Sequence, residues 1–236
     1  MELLPGVIAD HTALWFSQHK TLCLADLHLG YEDELHAKGV HVPTGEYREQ
    51  RTLIKKLFEK YEPQTIILNG DVKHLFGSIN RQEWRDTLHL LDYLCERATV
   101  VIIEGNHDRV LAPIAAKKDI ALVKHHKAGD VLFTHGDTVP DKKALKGIKT
   151  VVIGHEHPSI TLDSGVRKEQ YKCFVLASWN RKNLIVMPST FGLTYGMDVL
   201  SKEPHGPIFV AATKKHVFVV GEDGNVLNFG MLARLQ

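Results

Sequence analysis

The side chains best suited to chemistry recur in short polar clusters, each placed directly after an apolar run. Asp26 and His28 follow TLCLA at 21–25, and Asp71 follows TIILN at 65–69 and Gly70. Asn106, His107 and Asp108 follow TVVII at 99–103, His135 follows VLFT at 131–134, and His155 and His157 follow TVVI at 150–153. β-Branched runs without alternation fit strands buried on both faces of a sheet. Ligands of open α/β sheets gather at the carboxyl ends of parallel strands, so five such ends direct these residues toward one crevice. The donors are carboxylate, amide and imidazole, with no thiolate among them. That set suits Mn²⁺, Fe²⁺ or Zn²⁺ better than a structural zinc, which favours cysteine. If Asp26-x-His28 and His155-x-His157 are extended, each pair presents two donors on one face. Two such pairs with a bridging carboxylate are enough for two ions. Taken singly, each cluster has a plainer reading as a turn, a helix cap or a satisfied histidine. The ordered recurrence is what points to metal.

The segments between the clusters must hold them in place. From Glu46 to Tyr61 the apolar positions Tyr47, Ile54, Leu57, Phe58 and Tyr61 fall mostly three or four apart, and Pro63 ends the helix they predict. A second helix is expected over 81–97, with Trp84, Leu88, Leu91, Leu94 and Cys95 on one face. The last third changes character. Short strands are expected at 173–177, 184–187, 208–212, 216–220 and 226–229, with Glu222-Asp223-Gly224-Asn225 as a hairpin turn. No repeat, low-complexity tract or flexible linker divides the chain, so residues 1–236 are expected to form one domain of two packed sheets flanked by helices.

Composition narrows the class. With 44% hydrophobic and 24% charged residues the chain can bury a sizeable core. A formal net charge of +1 predicts no strong non-specific grip on duplex nucleic acid or an anionic membrane. Cys23, Cys95 and Cys173 are odd in number and far apart, and are read as reduced, packed thiols. No signal-peptide pattern or membrane-spanning apolar run is visible, so the expected location is cytoplasmic. Of the 15 histidines, His11, His19, His36, His41, His89, His205 and His216 fit no strand-end position and are read as surface or packing residues. His125 and His126 are read as part of a solvated turn.

The clusters Asp26-Leu27-His28, Gly70-Asp71, Gly105-Asn106-His107-Asp108, Thr134-His135-Gly136-Asp137 and Gly154-His155-Glu156-His157 together resemble the motif set of the calcineurin-like metallophosphoesterases, in order and with no ligand missing. The resemblance spans residues 26 to 157 and implies an α/β fold, a four-layer α/β/β/α sandwich of two mixed sheets. It implies a first metal held by Asp26, His28, Asp71 and His157, and a second by Asp71, Asn106, His135 and His155, with Asp71 bridging. The most expected pair is Mn²⁺, with Fe or Zn as alternatives. His107 then matches the catalytic histidine and Asp108 the carboxylate that orients it. His74 stands where some members carry Asp or Asn. The stretch Ala25 to Glu32, with Gly70-Asp71-Val72-Lys73-His74, is similar to a prokaryotic branch named for association with DNA ligase or an Lhr-type helicase. Some members of that branch are implied to be manganese-dependent single-strand DNA endonucleases.

The leading expectation is therefore a phosphodiesterase cutting single-stranded DNA in nucleic-acid repair. It would have no membrane partner, and a homodimer and association with a helicase or ligase are possible. The alternatives are a phosphodiesterase or phosphatase of cyclic nucleotides or nucleotides, favoured by a compact pocket of the loops after Gly30 and Gly77, and a non-catalytic scaffold of the same fold. Candidate substrate contacts are Arg109, by position and its bidentate guanidinium, and His74 at the rim. Lys142, Lys143, Lys146 and Lys149 could line the cleft or form a solvated surface. Tyr31, Trp179 and Tyr195 could stack on bases or simply pack.

Overall fold

A computed structural model describes residues 1–75, 80–108 and 110–235. Seven strands form the first sheet in sequence order: β1 (Glu2–Leu4), β2 (Val7–Asp10), β3 (Ala13–Phe16), β4 (Thr21–Leu24), β5 (Thr65–Asn69), β6 (Thr99–Ile103) and β7 (Ala121–Val123). The first four pair antiparallel, while β4, β5, β6 and β7 run parallel. The helices α1 (Tyr31–Ala37), α2 (Glu46–Tyr61), α3 (Arg81–Cys95) and α4 (Ala112–Lys117) lie in the connections between these parallel strands. The second sheet comprises β8 (His125–Ala128), β9 (Val131–Thr134), β10 (Thr150–Ile153), β11 (Pro158–Asp163), β12 (Lys168–Trp179), β13 (Lys182–Val186), β14 (Met197–Asp198), β15 (Thr213–Val220) and β16 (Val226–Met231). Here β9, β10 and β13 are parallel, and β8, β12, β15 and β16 extend the sheet antiparallel.

Alternation decides which core each strand residue joins. Leu22, Leu24, Ile66, Leu68, Val100 and Ile102 face the helices α2 and α3, whose Ile54, Leu57, Leu90, Leu91 and Leu94 cover them. Cys23, Ile67, Val101 and Ile103 point the other way and meet Phe133, Val152, Phe174, Ile185 and Phe218 of the second sheet. On the far side of that sheet Leu132, Val151 and Ile153 pack with Ile148 and with Ile208 and Phe209 of the short helix α5 (Pro207–Val210). Helices, sheet, sheet and an outer layer give the four-layer α/β/β/α sandwich. Both faces of β4, β5, β6, β9 and β10 are buried, which explains their unbroken apolar runs.

Several expectations need correction. The 208–212 segment is helical from Pro207 to Val210, because Pro207 sits at the first helical position and its entry is anchored elsewhere in the fold. A run of a few apolar residues does not distinguish a buried strand from a buried helical turn. His125 and His126 lie in β8, paired with Thr134 and Phe133, not in a turn. Cys95 is exposed at the end of α3, whereas Cys23 and Cys173 are buried, and all three are free thiols. Among the described residues no helix is long and apolar enough to cross a membrane. The 222–225 turn joins β15 to β16, closed by Gly221 N donating to Asn225 O at 2.8 Å.

Candidate metal centre

The loops leaving β4, β5, β6, β9 and β10 meet at one end of the cleft between the sheets. Asp26, His28, Asp71, His155 and His157 all have positive φ, between 45° and 67°. This corrects the expected extended geometry of the two x-spaced pairs, which stand in loops beyond β4 and β10. Non-glycine residues adopt this region at a cost of about 1–3 kcal/mol each and keep it only where their surroundings enforce it. Here the enforcement is visible. Asp26 N donates to Gly70 O at 3.2 Å, His28 N to Asp71 O at 2.9 Å, and His155 N to Asp26 Oδ2 at 3.0 Å. The motif glycines are needed for close approach. A Cβ at Gly70 would overlap the His135 ring, and one at Gly105 would overlap the Asp71 carboxylate.

The donor atoms of the expected ligands fall into two groups, and a third set of ring nitrogens, of His28, His74 and His107, adjoins the first. His28 Nε2 and His157 Nε2 are 3.3 Å apart, and His157 Nε2 is 3.5 Å from Asp26 Oδ1. His135 Nε2 lies 3.1 Å from His155 Nδ1, 3.0 Å from Asn106 Oδ1 and 3.5 Å from Asp71 Oδ2. Asp71 Oδ2 also lies 3.9 Å from His28 Nε2, between the groups. Donors held at about 2.1 Å around one ion are themselves about 3.0–3.4 Å apart, and the separations here run from 3.0 to 3.9 Å. Ring nitrogens facing one another over carboxylates fit a cation better than a hydrogen-bond network. Asp26, His28, Asp71 and His135 are buried, so the charge they carry must be compensated inside the fold.

Packing the donors together shifts their protonation in opposite directions. Burial by itself would push the Asp71 carboxyl up, but the hydrogen bond from His135 and the neighbouring His28 and His107 hold it below the usual carboxylate range. Burial would lower His135, yet its bond to Asp71 and the charges of Asp71 and Asp26 push it up to about 9. Burial and the facing His157 pull His28 well down, and burial and His135 pull His155 down. His28 and His155 thus keep a lone pair available, whereas His135 shares with Asp71 a proton that a cation would displace.

His107 and its neighbours form the rim. The His107 backbone N donates to Asp71 Oδ1 at 2.9 Å, its Nε2 is 3.8 Å from Asp71 Oδ2, and its Nδ1 meets the His74 carbonyl oxygen. Asp108, expected to orient His107, instead has its carboxylate turned to backbone: it accepts from Val72 N at 3.0 Å, Lys73 N at 3.3 Å and Gly105 N at 3.1 Å. The fully buried Asp108 thus ties the Gly70-Asp71 loop to the Gly105-Asn106 loop, while the group on His107 Nδ1 is a carbonyl. His74 is also differently employed. Its Nε2 pairs with Glu34 Oε2 at 2.9 Å and its Nδ1 is 3.2 Å from His28 Nδ1. If Nε2 carries the His74 proton toward Glu34, Nδ1 accepts from His28 and leaves His28 Nε2 as a lone pair facing His157. Arg109 lies outside the described residues, as does Gly77.

Other expected contacts separate. Tyr31 packs on the His74 ring at 4.0 Å between centroids, Trp179 is buried, and Tyr195 is exposed. Of the lysine run, Lys149 lies away from the cleft: it pairs with Asp130 at 3.0 Å, at the start of β9 and thus the end opposite His135. Residues outside the expected ligand set complete the site. Glu156 accepts from His205 N at 3.0 Å and Gly206 N at 2.5 Å, drawing that loop against His155. Lys172 Nζ donates to Ser189 O at 2.9 Å and to Phe191 O, fixing the loop that covers His28. Burial lowers Lys172 to about 8. Glu83 accepts from His74 N at 2.7 Å and Leu75 N at 2.9 Å. Of these only Glu83 carries a readable signal, the capping box with Asn80. The others act across distant segments.

Comparisons with known proteins bear on this geometry. The family model described as calcineurin-like phosphoesterase matches residues 19–160, more than half of the chain. No curated protein matches the sequence. Among solved structures, a Pseudomonas putida protein named nuclease MPE is similar at 19% identity over 94% of each chain, with a TM-score of 0.68. Yfce, a phosphoesterase from E. coli, is 12% identical over 87% of this chain and 95% of its own, with a TM-score of 0.44. At such identities the first of these is a likeness of fold.

Proposed function

The chain belongs to the calcineurin-like phosphoesterase family, which uses a dinuclear divalent metal centre, and is a metal-dependent phosphoesterase; we propose that it is a manganese-dependent phosphodiesterase that cuts single-stranded DNA internally, in repair. The observation that carries the two-metal reading is the pair of donor groups meeting at Asp71 in a buried cleft. Asp26, His28, Asp71 and His157 would hold one ion, and Asp71, Asn106, His135 and His155 the other. Two such ions activate a water and neutralise charge on the attacking and leaving oxygens.

The remaining steps fall to the protein. His107, donating from Nδ1 to the His74 carbonyl, is oriented so that Nε2 faces Asp71 and the cleft. A proton on Nε2 passes to the leaving alkoxide oxygen as the phosphorus–oxygen bond breaks. Asp108 holds the two loops that set this distance, and Glu34 with His74 orients His28. In this reading His74 positions a ligand and has both ring nitrogens committed to protein, so it is not the substrate contact. The DNA substrate is supported by the Ala25-to-Glu32 motif stretch and by the name of the Pseudomonas neighbour.

The test is incubation of the protein and its Asp71→Ala variant with closed circular single-stranded DNA and Mn²⁺. Linear fragments from the wild type alone are expected, because a circle offers no end to an exonuclease. An intact circle beside hydrolysis of an aryl phosphodiester would move the substrate to a small phosphate ester.

A further inference from the structure

A groove of about 960 Å³ runs along the outer face of α3 beneath α1. Its pattern follows from helical spacing. Arg81, Arg85 and His89 recur every four residues, a rise of about 6 Å each, and Trp84 and Leu88 form the adjoining ridge. That step is comparable to the phosphate spacing of an extended single strand. Trp84 is 38% exposed, whereas Trp15 and Trp179 are 9% and 4% exposed, so one tryptophan alone is offered to solvent. Arg81 has no carboxylate partner among the described residues, and Arg85 uses only its Nε, on Asp86 at 3.1 Å. Of the acids on the wall, Asp92 pairs with Lys118, while Asp33 takes the neutral Gln82 amide and keeps its charge.

Chain neighbours of the groove's lining residues reach the candidate metal centre. Glu83, next to Trp84, accepts from His74 N, and Glu34, next to the wall residue Asp33, pairs with His74 Nε2. His74 in turn abuts His28. An exposed indole between guanidinium groups offers a stacking face and phosphate contacts together, which is how single strands are held without sequence preference.

We propose that this groove binds the nucleotides flanking the scissile phosphate of a single-stranded polynucleotide, with Trp84 stacked on a base and Arg81 and Arg85 on phosphates. The assignment rests on the reading of the site as a single-strand phosphodiesterase. In the test, Mn²⁺-loaded full-length protein is mixed in a stopped flow with an eight-residue oligothymidylate, and tryptophan fluorescence is followed before cleavage. Quenching by the oligonucleotide is expected, and loss of it in Trp84→Ala. The same variant should raise KM for the oligonucleotide about tenfold or more, with hydrolysis of an aryl phosphodiester unchanged. Arg81→Glu should weaken binding and flatten its salt dependence. Absence of quenching, or an unchanged KM in both variants, overturns the groove assignment and leaves the surface to a protein segment. A wild type that binds the oligonucleotide but hydrolyses neither substrate would instead overturn the phosphodiesterase reading.

Discussion

At the scale of single residues, the proposed reaction separates groups that hold charge from the group that moves a proton. His107 lies outside the expected ligand sets, beside His28 and His74 at ring-centroid distances of 5.1 and 5.3 Å, and its Nε2 is 3.8 Å from Asp71 Oδ2. Its removal should therefore spare metal uptake and slow turnover. We expect His107→Ala to lower kcat about 10²–10⁴-fold on a diester with an alkyl leaving group, and much less on one with a nitrophenolate, which leaves without a proton. Steady-state kinetics on the two esters, with bound metal measured alongside, checks this. Loss of metal in the variant would show that His107 is a ligand instead.

At the scale of elements, β2 and α2 are tied outside the catalytic end. The Asp10 carboxylate accepts from Lys60 Nζ and Tyr61 Oη, both at 2.7 Å, and contacts His11 Nδ1 at 2.9 Å. Burial would raise the Asp10 carboxyl, but these three bonds overcome it and hold the pKa down to about 2. The folded value lies below the unfolded one, so the stabilisation is complete above about pH 4 and is lost as pH falls through about 2. With the exposed Lys60 screened by solvent, it should be worth about 1 kcal/mol. Urea denaturation of Asp10→Asn should show that deficit at pH 7, and a gap to wild type that closes as pH approaches 2. A gap constant with pH would assign the loss to packing.

At the scale of the whole molecule, the proposed ligands come from both sheets: Asp26, His28, Asp71 and Asn106 from the first, His135, His155 and His157 from the second. The core between the sheets, with Phe133, Phe174 and Phe16 buried in it, joins them. We propose that the chain is one folding unit. Calorimetry should then give a single transition that Mn²⁺ moves upward, by an amount equivalent to about 2.7 kcal/mol at a hundred times the dissociation constant. Asp71→Ala should abolish most of that shift. Two transitions, with only one responding to metal, would divide the chain into separate units.

What the sequence by itself determined is local. The strand-end clusters were legible because buried parallel strands leave unbroken apolar runs and because the catalytic end needs polar residues directly after them. α2 was legible from Glu46 to Tyr61 because its stripe is regular and Pro63 follows. Only the tertiary structure decided the rest. That Asp26-x-His28 converges through left-handed backbone rather than through a pleat depends on hydrogen bonds that Asp26 N and His28 N donate to the carbonyl oxygens of Gly70 and Asp71, far along the chain. That Asp108 clamps two loops, that His74 backs His28, and that Glu34, Glu156 and Lys172 serve the site follow from contacts between segments far apart in the chain. Spacing along one segment carries no record of such contacts, because each exists only once the two sheets have closed on their common core.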